Sequence, residues 1–430
     1  MRHRIPHYLA GLVLAVALTG CQFMHDMENL KATPPAPAPK LATYHVPGSI
    51  THSDAALDDV GSRDLDGSVD APSAPGKPGV GHNMKVGLLL PLTGRSAELG
   101  KAMQDAATLS LFDKYARLSG KQASIKVELI PKDTGDTPEQ AAAAAKSAIA
   151  DGAELLIGPI FADATDAAAI VARDKHVPML SLSNSSKGGD GVYLFGFSPQ
   201  EQAVRVVTFA MGQGKTRIAA LVPDSPLGNA VMDGARTALS AKGLKLVKEV
   251  RYAPEGTGIG AAVSKLAPAT GEQPVYDALL LPEGGAPLNT ILRTLQARGV
   301  NSQNVQLLGT GIWDDKALLR RVPLESAWLA SSPTSYTNAF EERFQSTYQY
   351  VPPRIASLAY DAVALAVTLA TSGRPLDATT LTSKAGFEGP ANGLFRLKPD
   401  GTVQRGLAVL QASGWGFKEL DPAPPGFTGQ

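Results

Sequence analysis

Val86-Gly-Leu-Leu-Leu-Pro-Leu-Thr-Gly94 is the stretch from which the fold can be deduced. Residues 86–90 form a continuous apolar run, of the length and type found in strands buried on both faces of a parallel sheet. Pro91 and Gly94 break this run, and residues 97–115 then have the composition of a helix. A strand, a tight loop and a helix in this order form the opening unit of a doubly wound α/β sheet.

The same unit recurs along the chain. Thr137-Pro138-Glu139-Gln140 combines an N-cap, a proline at the first helical position and the glutamine of a capping box, so it predicts the start of a helix. A second series of alternating strands and helices runs from Ile218 to Leu308. Two such series predict an α/β fold class with two doubly wound, Rossmann-like lobes and a cleft between them.

Several of these segments resemble the type I periplasmic binding proteins, in particular the leucine-binding-protein family. Residues 86–94 are similar to the opening strand and first ligand loop of that family, Gly152-Ala-Glu-Leu-Leu-Ile-Gly-Pro159 to its third strand, and Val177-Pro-Met-Leu-Ser-Leu-Ser-Asn-Ser185 to its fourth. The resemblance covers about residues 85–415. Within the family, Pro131–Pro138 and Leu194–Phe197 look most like the penicillin-binding protein activators, a branch of outer-membrane lipoproteins that stimulate a peptidoglycan synthase.

The resemblance implies a hinge at which the chain crosses three times between the lobes. We expect these crossings near Phe197–Pro199, Ser331–Pro333 and Ala385–Glu388. The domain would span residues 84–418 and be followed by a flexible tail at 419–430. The expected lobes have two segments each, about 84–198 and 333–385 for lobe one and about 199–332 and 386–418 for lobe two.

The N-terminus has the pattern of a lipoprotein signal peptide. Arg2 and Arg4 precede an apolar stretch that is too short to span a bilayer, and Leu18-Thr19-Gly20-Cys21 then forms a lipobox around the only cysteine of the chain. We expect residues 1–20 to be removed and Cys21 to be acylated, which anchors the protein to membrane lipid. An ordinary secretory signal with an incidental cysteine is the alternative. Residues 21–83 are rich in proline, alanine and small residues, which predicts a disordered tether.

Candidate ligand-binding residues follow the predicted strands, because ligands of open α/β sheets bind at the carboxyl ends of the strands. In lobe one they are small polar residues and one aromatic residue: Thr93, Ser96, Phe161, Ser183, Asn184 and Ser185. In lobe two they are two acids, a threonine and a tryptophan that could stack on a ligand: Asp224, Glu283, Thr310 and Trp313. Ordinary turn and N-cap chemistry explains the serines and the asparagine equally well.

The chain departs from the amino-acid receptors of the family at three positions. Apolar Ile160-Phe161-Ala162 stands where those receptors carry serines for the ligand carboxylate, and Leu227 stands where they carry an aromatic residue. No acid for the ligand ammonium appears near Gly309-Thr-Gly311 before Asp314, and the placement of Glu283 as a substitute is open. Because an unpaired buried charge is costly, we expect free amino acids to bind weakly or not at all.

Several function classes are disfavoured. Lys plus Arg and Asp plus Glu number 40 each, so the charge balance gives no indication of nucleic-acid binding. His176 is the only histidine after residue 85, which makes a histidine-based triad or metal site very hard to assemble. We therefore expect a non-enzymatic protein without a cofactor or a metal.

Two functions remain after these exclusions. The first is regulation of a penicillin-binding protein in peptidoglycan synthesis through protein contacts, by a periplasmic lipoprotein that is anchored to the outer membrane. The alternative is solute capture in the cleft for an ABC permease, with an amino acid or a similar small molecule as the ligand. In either case a small molecule can occupy the cleft.

Overall fold

The computed structural model of the chain describes residues 81–268 and 272–427. The predicted signal peptide, Cys21 and nearly all of the predicted tether therefore lie outside the described residues. At the start of this part, His82 donates its backbone N–H to the carbonyl of Ala370 at 3.2 Å, and the Asn83 side chain accepts from the N–H of Lys126 at 2.8 Å. Residues 82 and 83, which we assigned to the tether, thus contact the folded domain.

Lobe one begins with a five-stranded parallel sheet in the order β2-β1-β3-β4-β5. Helices connect its first four strands, as predicted, whereas β5 follows β4 without a helix between them. The thirteen-residue helix α2 begins with the predicted capping box, in which the Thr137 side chain accepts from the N–H of Gln140. The elements are β1 (Met84–Leu90), α1 (Ala97–Tyr115), β2 (Val127–Asp133), α2 (Pro138–Ala150), β3 (Leu155–Ile157), α3 (Ala162–Asp174), β4 (Met179–Ser181) and β5 (Val192–Leu194).

The chain then forms most of lobe two. The parallel part of the second sheet has the order β7-β6-β8-β9-β10. This order and its alternation with helices repeat the pattern of lobe one. The elements are α4 (Pro199–Gly212), β6 (Ile218–Pro223), α5 (Pro226–Ser240), β7 (Lys248–Tyr252), α6 (Ile259–Leu266), β8 (Ala278–Leu280), α7 (Gly285–Ala297), β9 (Gln306–Gly309), α8 (Lys316–Leu319) and β10 (Trp328–Ser331).

After β10 the chain returns to lobe one. Helix α10 is buried along almost its whole length and packs with α1 against one face of the first sheet, whereas α2 and α3 cover the other face. A small antiparallel sheet in the order β11-β12-β13 follows. The elements are α9 (Thr334–Tyr348), α10 (Ala356–Ser372), α11 (Ala378–Leu381), β11 (Phe387–Gly389), β12 (Gly393–Leu397) and β13 (Val403–Arg405).

The third crossing lies later than the sequence suggested. Phe395, Leu397 and Val403 belong to the hydrophobic core of lobe one, and the Phe395 ring meets Phe195 edge-on with centroids 4.9 Å apart. The chain therefore leaves lobe one after β13, and the boundary expected at residue 385 is wrong. The reason is that the small sheet has its own apolar face, which packs on the end of β5.

The last two strands complete lobe two. β14 (Ala408–Ser413) pairs antiparallel with β10, and β15 (Gly416–Asp421) pairs antiparallel with β14. Residues 419–421, expected in a flexible tail, belong to β15, and farther on the Phe427 ring lies 4.8 Å from the guanidinium of Arg396. None of the helices in the described part of the chain has the length and apolarity needed to cross a membrane.

Candidate functional site

The candidate site is the junction at which the carboxyl ends of both parallel sheets meet the crossing segments. The Asn184 side chain, after β4, donates to the carbonyl of Phe197 in the first crossing at 2.9 Å. From lobe two, the N–H of Gly311, after β9, donates to the side chain of Gln202 in α4 at 3.1 Å. These bonds hold the loop after β4 against the first crossing and the loop after β9 against α4. Because ligands of open α/β sheets bind at the carboxyl ends of the strands, we call this junction the cleft floor.

Arg354 is the central charged group of this floor. Its Nε donates to Asp314 Oδ2 at 2.8 Å, and its Nη2 donates to Ser331 Oγ at 2.6 Å. Its guanidinium also lies 3.9 Å from the centroid of the Phe197 ring. Arg354 comes from the loop between α9 and α10 of lobe one, whereas Asp314 follows β9 of lobe two. One side chain therefore contacts both lobes and two of the three crossings.

A second arginine also lies close to this ring. Arg405, at the end of β13, is 6 % exposed, and its guanidinium lies 5.1 Å from the Phe197 centroid and 4.7 Å from that of Phe195. Its Nη2 donates to the carbonyl of Phe195 at 2.5 Å, but its Nε and Nη1 are buried and have no hydrogen-bond partner among residues 81–268 and 272–427. Burial lowers the pKa of Arg405 to about 10, while nearby Asp361 opposes this effect.

The first ligand loop of lobe one is organised by Asp133. Thr93 is exposed, but its hydroxyl donates to Asp133 Oδ2 at 2.5 Å, and the backbone N–H groups of Leu92, Thr93 and Gly135 donate to Oδ1. Partial desolvation raises the pKa of Asp133, but these four hydrogen bonds outweigh it and leave the pKa below its usual value. Thr93 therefore orders the loop, and its hydroxyl proton is already engaged.

The serines after β4 form consecutive turns. Ser183 is 5 % exposed, and its hydroxyl accepts from the N–H of Ser185 at 3.2 Å. Asn184 and Ser185 are exposed at the edge of the sheet. The hydrogen bonds of ordinary turns, which were the alternative to ligand binding at these residues, are thus present. Of the three residues, Ser185 is the one whose side chain makes no hydrogen bond within the described residues.

Ser96 and Phe161 are the other two candidates of lobe one. Ser96 is the N-cap residue of α1, is partly exposed and makes no capping bond through its side chain. Phe161 is the N-cap residue of α3, and 45 % of it is exposed. An aromatic side chain with this exposure at the carboxyl edge of a sheet offers apolar contact to a ligand.

The acids of lobe two already have partners. Asp224 is exposed and lies 3.3 Å from the guanidinium of Arg251. Glu283 accepts from the Tyr252 hydroxyl at 2.6 Å and from the N–H of Gly284 at 2.9 Å. Desolvation and the bond to Glu283 raise the pKa of Tyr252. Neither carboxylate is thus held ready for a ligand ammonium.

Trp313 is not available for stacking. It is 0 % exposed and packs in the core of lobe two, where its indole N–H donates to the carbonyl of Glu283 at 2.7 Å and its ring lies against Gly309. Thr310 is also buried, at 2 % exposure. The apolar side chain that this loop exposes instead is Ile312, at 45 %. Sequence reasoning missed Ile312 because an exposed isoleucine carries no local signal.

A cavity of about 590 Å³ opens beside this loop in lobe two, lined by Glu283, Gly284, Gly285, Ala286, Asn289, Ile312, Asp315, Ala317, Leu318, Arg321 and Val322. Within residues 81–268 and 272–427, no group of three or more histidines, cysteines or acids is placed to hold a metal ion.

Comparison with known proteins identifies the family and the fold. A family model for periplasmic binding proteins matches residues 83–416. No curated protein matches the sequence closely enough to count as a relative.

Three solved structures show the fold. A branched-chain amino acid ABC transporter periplasmic ligand-binding protein from Burkholderia xenovorans is 17% identical with a TM-score of 0.65, and the match covers 80% of this chain and 96% of that one. A solute-binding protein of an ABC transporter from Rhodopseudomonas palustris, in complex with 3,4-dihydroxybenzoic acid, is 19% identical with a TM-score of 0.59 over 80% and 98%. A branched-chain amino acid substrate-binding protein from Streptococcus pneumoniae, in complex with isoleucine, is 18% identical with a TM-score of 0.59 over 79% and 100%.

Proposed function

Because this chain belongs to the periplasmic binding protein family, we propose that it captures a small solute between its two lobes as the substrate-binding component of an ABC transporter. The observation that carries this proposal is the junction itself, where Arg354 of lobe one and Asp314 of lobe two form the floor of the cleft. A ligand that contacts this floor touches both lobes, so its binding energy can drive their closure.

The ligand that fits this floor is a small solute without an ammonium group. Two acids that follow strands of lobe two, Asp314 and Glu283, are paired with Arg354 and Tyr252. The similar structures hold isoleucine in one case and a dihydroxybenzoic acid in another, which gives two chemical classes for comparison. Since a buried ammonium without an acidic partner is costly, the second class is the better fit.

Titration calorimetry on residues 81–430 tests the proposal. The panel consists of isoleucine, leucine, valine, benzoate, 4-hydroxybenzoate and 3,4-dihydroxybenzoate. We expect binding of at least one benzoate and affinities in the millimolar range or weaker for the three amino acids. Micromolar binding of an amino acid that is lost in a Ser183→Ala, Ser185→Ala double variant would contradict the ligand class while supporting a receptor.

A second candidate is regulation of a penicillin-binding protein in peptidoglycan synthesis. One observation favours it: Pro131–Pro138 resembles the activator branch of the family. The test is a synthase assay with a purified bifunctional penicillin-binding protein in the presence and absence of residues 81–430. A several-fold faster glycan-chain synthesis supports the regulator, and an unchanged rate rejects it for that enzyme.

We also propose that the protein is attached to lipid through Cys21 and that the attachment is to the outer membrane. The lipobox around Cys21 supports the attachment, and Gln22, rather than an aspartate after the cysteine, supports the choice of membrane by resemblance to known lipoproteins. A permease partner in the inner membrane would be reached through the long tether. Fully extended, about sixty residues span roughly 200 Å at about 3.3 Å each.

A further inference from the structure

Asp361 lies at the end of a chain of buried hydrogen bonds that reaches the second crossing. Its Oδ2 accepts from Nδ2 of Asn392 at 2.8 Å, and its Oδ1 accepts from the N–H of Ala391 at the same distance. Oδ1 of Asn392 accepts in turn from the hydroxyl of Ser332 at 3.0 Å. Asp361, Asn392 and Ser332 are each at most 1 % exposed, so these bonds are made without competition from bulk water.

This chain of bonds joins separate parts of the fold. Asp361 belongs to α10, Asn392 lies in the turn between β11 and β12, and Ser332 directly follows β10 in the second crossing. Ser332 Oγ also accepts from Nη2 of Arg354 at a longer 3.5 Å, and Arg354 pairs with Asp314 of lobe two. The state of a carboxyl group inside lobe one can therefore affect the second crossing and an ion pair between the lobes.

The side-chain amide of Asn392 has two arrangements that suit the two protonation states of Asp361. An ionised carboxylate only accepts, so it fixes the amide NH₂ toward itself and leaves the amide oxygen for Ser332. A protonated carboxyl donates from Oδ2, and the amide oxygen can accept this bond once the amide has turned over. The NH₂ group then faces Ser332, whose hydroxyl loses its acceptor. Because Ser332 is fully buried, this loss destabilises the second crossing in its present position.

Titratable groups lie around Asp361 on four elements: Tyr360 of α10, Lys114 of α1, Glu388 of β11 and Arg405 of β13. Desolvation raises the pKa of Asp361 to about 6, and Arg405 only partly offsets this effect. Glu201 of α4 interacts with Arg405, and burial raises the pKa of Glu201 as well. A test of the titration must therefore distinguish Asp361 from Glu201.

We propose that Asp361 and Asn392 form a proton-controlled latch of the hinge. Ionised Asp361 holds the Asn392 amide oxygen toward Ser332 and keeps the second crossing in place, whereas proton uptake turns the amide over and releases the crossing. The inference goes beyond the proposed function, because the latch needs no ligand and no partner. Since proton uptake favours open forms, the fraction of open protein should rise as the pH falls through about 6.

Electron paramagnetic resonance distances between the lobes at pH 5 and pH 7.5 test the latch. Cys21 is the only cysteine, so Cys21→Ser combined with Glu139→Cys in α2 and Thr290→Cys in α7 places one exposed nitroxide label on each lobe. In this labelled background we expect a longer mean distance at pH 5, with about twofold or more open protein. Asp361→Asn should show the pH 5 distances at both pH values, because Asn cannot ionise and resembles the protonated carboxyl.

Ser332→Ala keeps the titrating group but removes the hydroxyl that responds to it, so it should also lose the pH dependence. It covers the case in which Asp361→Asn does not fold. Ser181→Ala is the matched control, since Ser181 is equally buried but bonds to Thr165 within lobe one, and it should keep the pH dependence.

Glu201→Gln should keep the pH dependence as well, since Glu201 is not part of the latch. Three results overturn the inference: equal distances at both pH values in the labelled background, a pH dependence that survives in Asp361→Asn or Ser332→Ala, and a pH dependence that is lost in Glu201→Gln. None of them bears on the proposed solute receptor, because all measurements are made without a ligand.

Discussion

Asp361 is a carboxylate in the wholly buried helix α10, and its surroundings determine how it titrates. It is 0 % exposed, accepts from the N–H of Ala391 and from the Asn392 side chain, each at 2.8 Å, and lies near Arg405. Desolvation raises its pKa to about 6, and the two hydrogen bonds and Arg405 only partly offset this effect. The folded protein therefore holds a proton on Asp361 at a pH at which the unfolded chain has released it.

This difference predicts a pH-dependent contribution to stability. With a folded pKa of about 6 against an ordinary 3.8, the contribution of Asp361 is unchanged below about pH 4 and becomes unfavourable as the pH rises through 6. The loss amounts to at most about 3 kcal/mol, at 1.36 kcal/mol for each pKa unit. Thermal unfolding of the wild type and Asp361→Asn from pH 4 to 7.5 measures it.

Because Asn cannot ionise, Asp361→Asn lacks this unfavourable contribution, so its melting temperature relative to that of the wild type should be higher at pH 7 than at pH 4. The informative quantity is the difference between the two pH profiles, since the other carboxyls are common to both proteins. We expect this difference to vary between pH 4 and 6.5. A constant difference across that range shows that Asp361 does not titrate there.

At the cleft, the sequence predicted the loops better than it predicted which of their side chains make the contacts. Ser183 and Thr93 lie after the ends of strands, but their hydroxyls form hydrogen bonds that order the loops. Arg354 was missed because it lies 40 residues from Asp314 in the sequence, and only the return of the chain to lobe one brings them together. Trp313 is core, because in this loop the large ring turns inward onto Gly309 while Ile312 faces outward.

In each lobe, the helix that follows the first strand approaches the end of that strand through a glycine. A Cβ on Gly100 of α1 would lie 2.0 Å from the carbonyl oxygen of Pro91, and one on Gly228 of α5 would lie 1.9 Å from that of Pro223. Both contacts are to backbone, which cannot move aside as a flexible side chain can. The two lobes thus use the same close packing of helix on strand at equivalent places.

Gly228→Ala should therefore destabilise lobe two. We expect a loss of about 2 kcal/mol or more in the free energy of unfolding, as typical for overpacking against a rigid neighbour. The matched control is Gly260→Ala in α6, where a Cβ has no atom within 4 Å and alanine is the better helix former by up to about 1 kcal/mol. Urea denaturation distinguishes them, and equal stability of the two variants would argue against the close approach in α5.

The alternation of elements was predictable from the sequence because the parallel strands are short apolar runs and because a helix such as α2 begins with a clear capping box. The boundaries of α1 and α2 agree with the expected residues 97–115 and 138–150. Helix α10 gave no such signal, since it is buried all round and lacks a polar face. The three-residue strands β11 and β13 are too short to show a period, which is why the third crossing was misplaced.

The two lobes are also linked away from the cleft floor. Lys316 of α8 in lobe two lies 2.6 Å from Glu341 of α9 in lobe one, and its ammonium also donates to the Asn338 side chain. Both side chains are partly exposed, so the pair contributes about 1 kcal/mol or less. An ion pair of this strength can shift the equilibrium between closed and open forms of the protein, but it cannot prevent opening.

Lys316→Ala should shift the unliganded protein toward more open forms. The change in the equilibrium is up to about fivefold, and small-angle scattering should record it as a larger radius of gyration. Lys101→Ala is the control, because Lys101 pairs with Asp105 at the same 2.6 Å but within a single helix. Scattering profiles that are identical for the wild type and both variants would show that this pair does not restrain the lobes.

At the level of the whole protein, the proposed anchor makes a prediction about location. If Cys21 is acylated, Cys21→Ser should move the protein from the membrane fraction to the soluble fraction, because each buried CH₂ of an acyl chain contributes about 0.8 kcal/mol to membrane binding. Fractionation of cells and immunoblotting measure this. Retention of the variant in the membrane would show that another part of the protein is responsible.

The path of the chain through three crossings also constrains the order in which the molecule can be assembled. Helix α10 covers a face of the sheet whose strands end at residue 194, yet it begins only at residue 356, after nearly all of lobe two. During synthesis the N-terminal end of the chain emerges first. One apolar face of the first sheet therefore stays exposed until more than 150 further residues have been added. Neither lobe is a continuous fragment that a protease or a gene truncation could release intact. The two lobes are therefore synthesised and degraded together, as one unit, although they move as two.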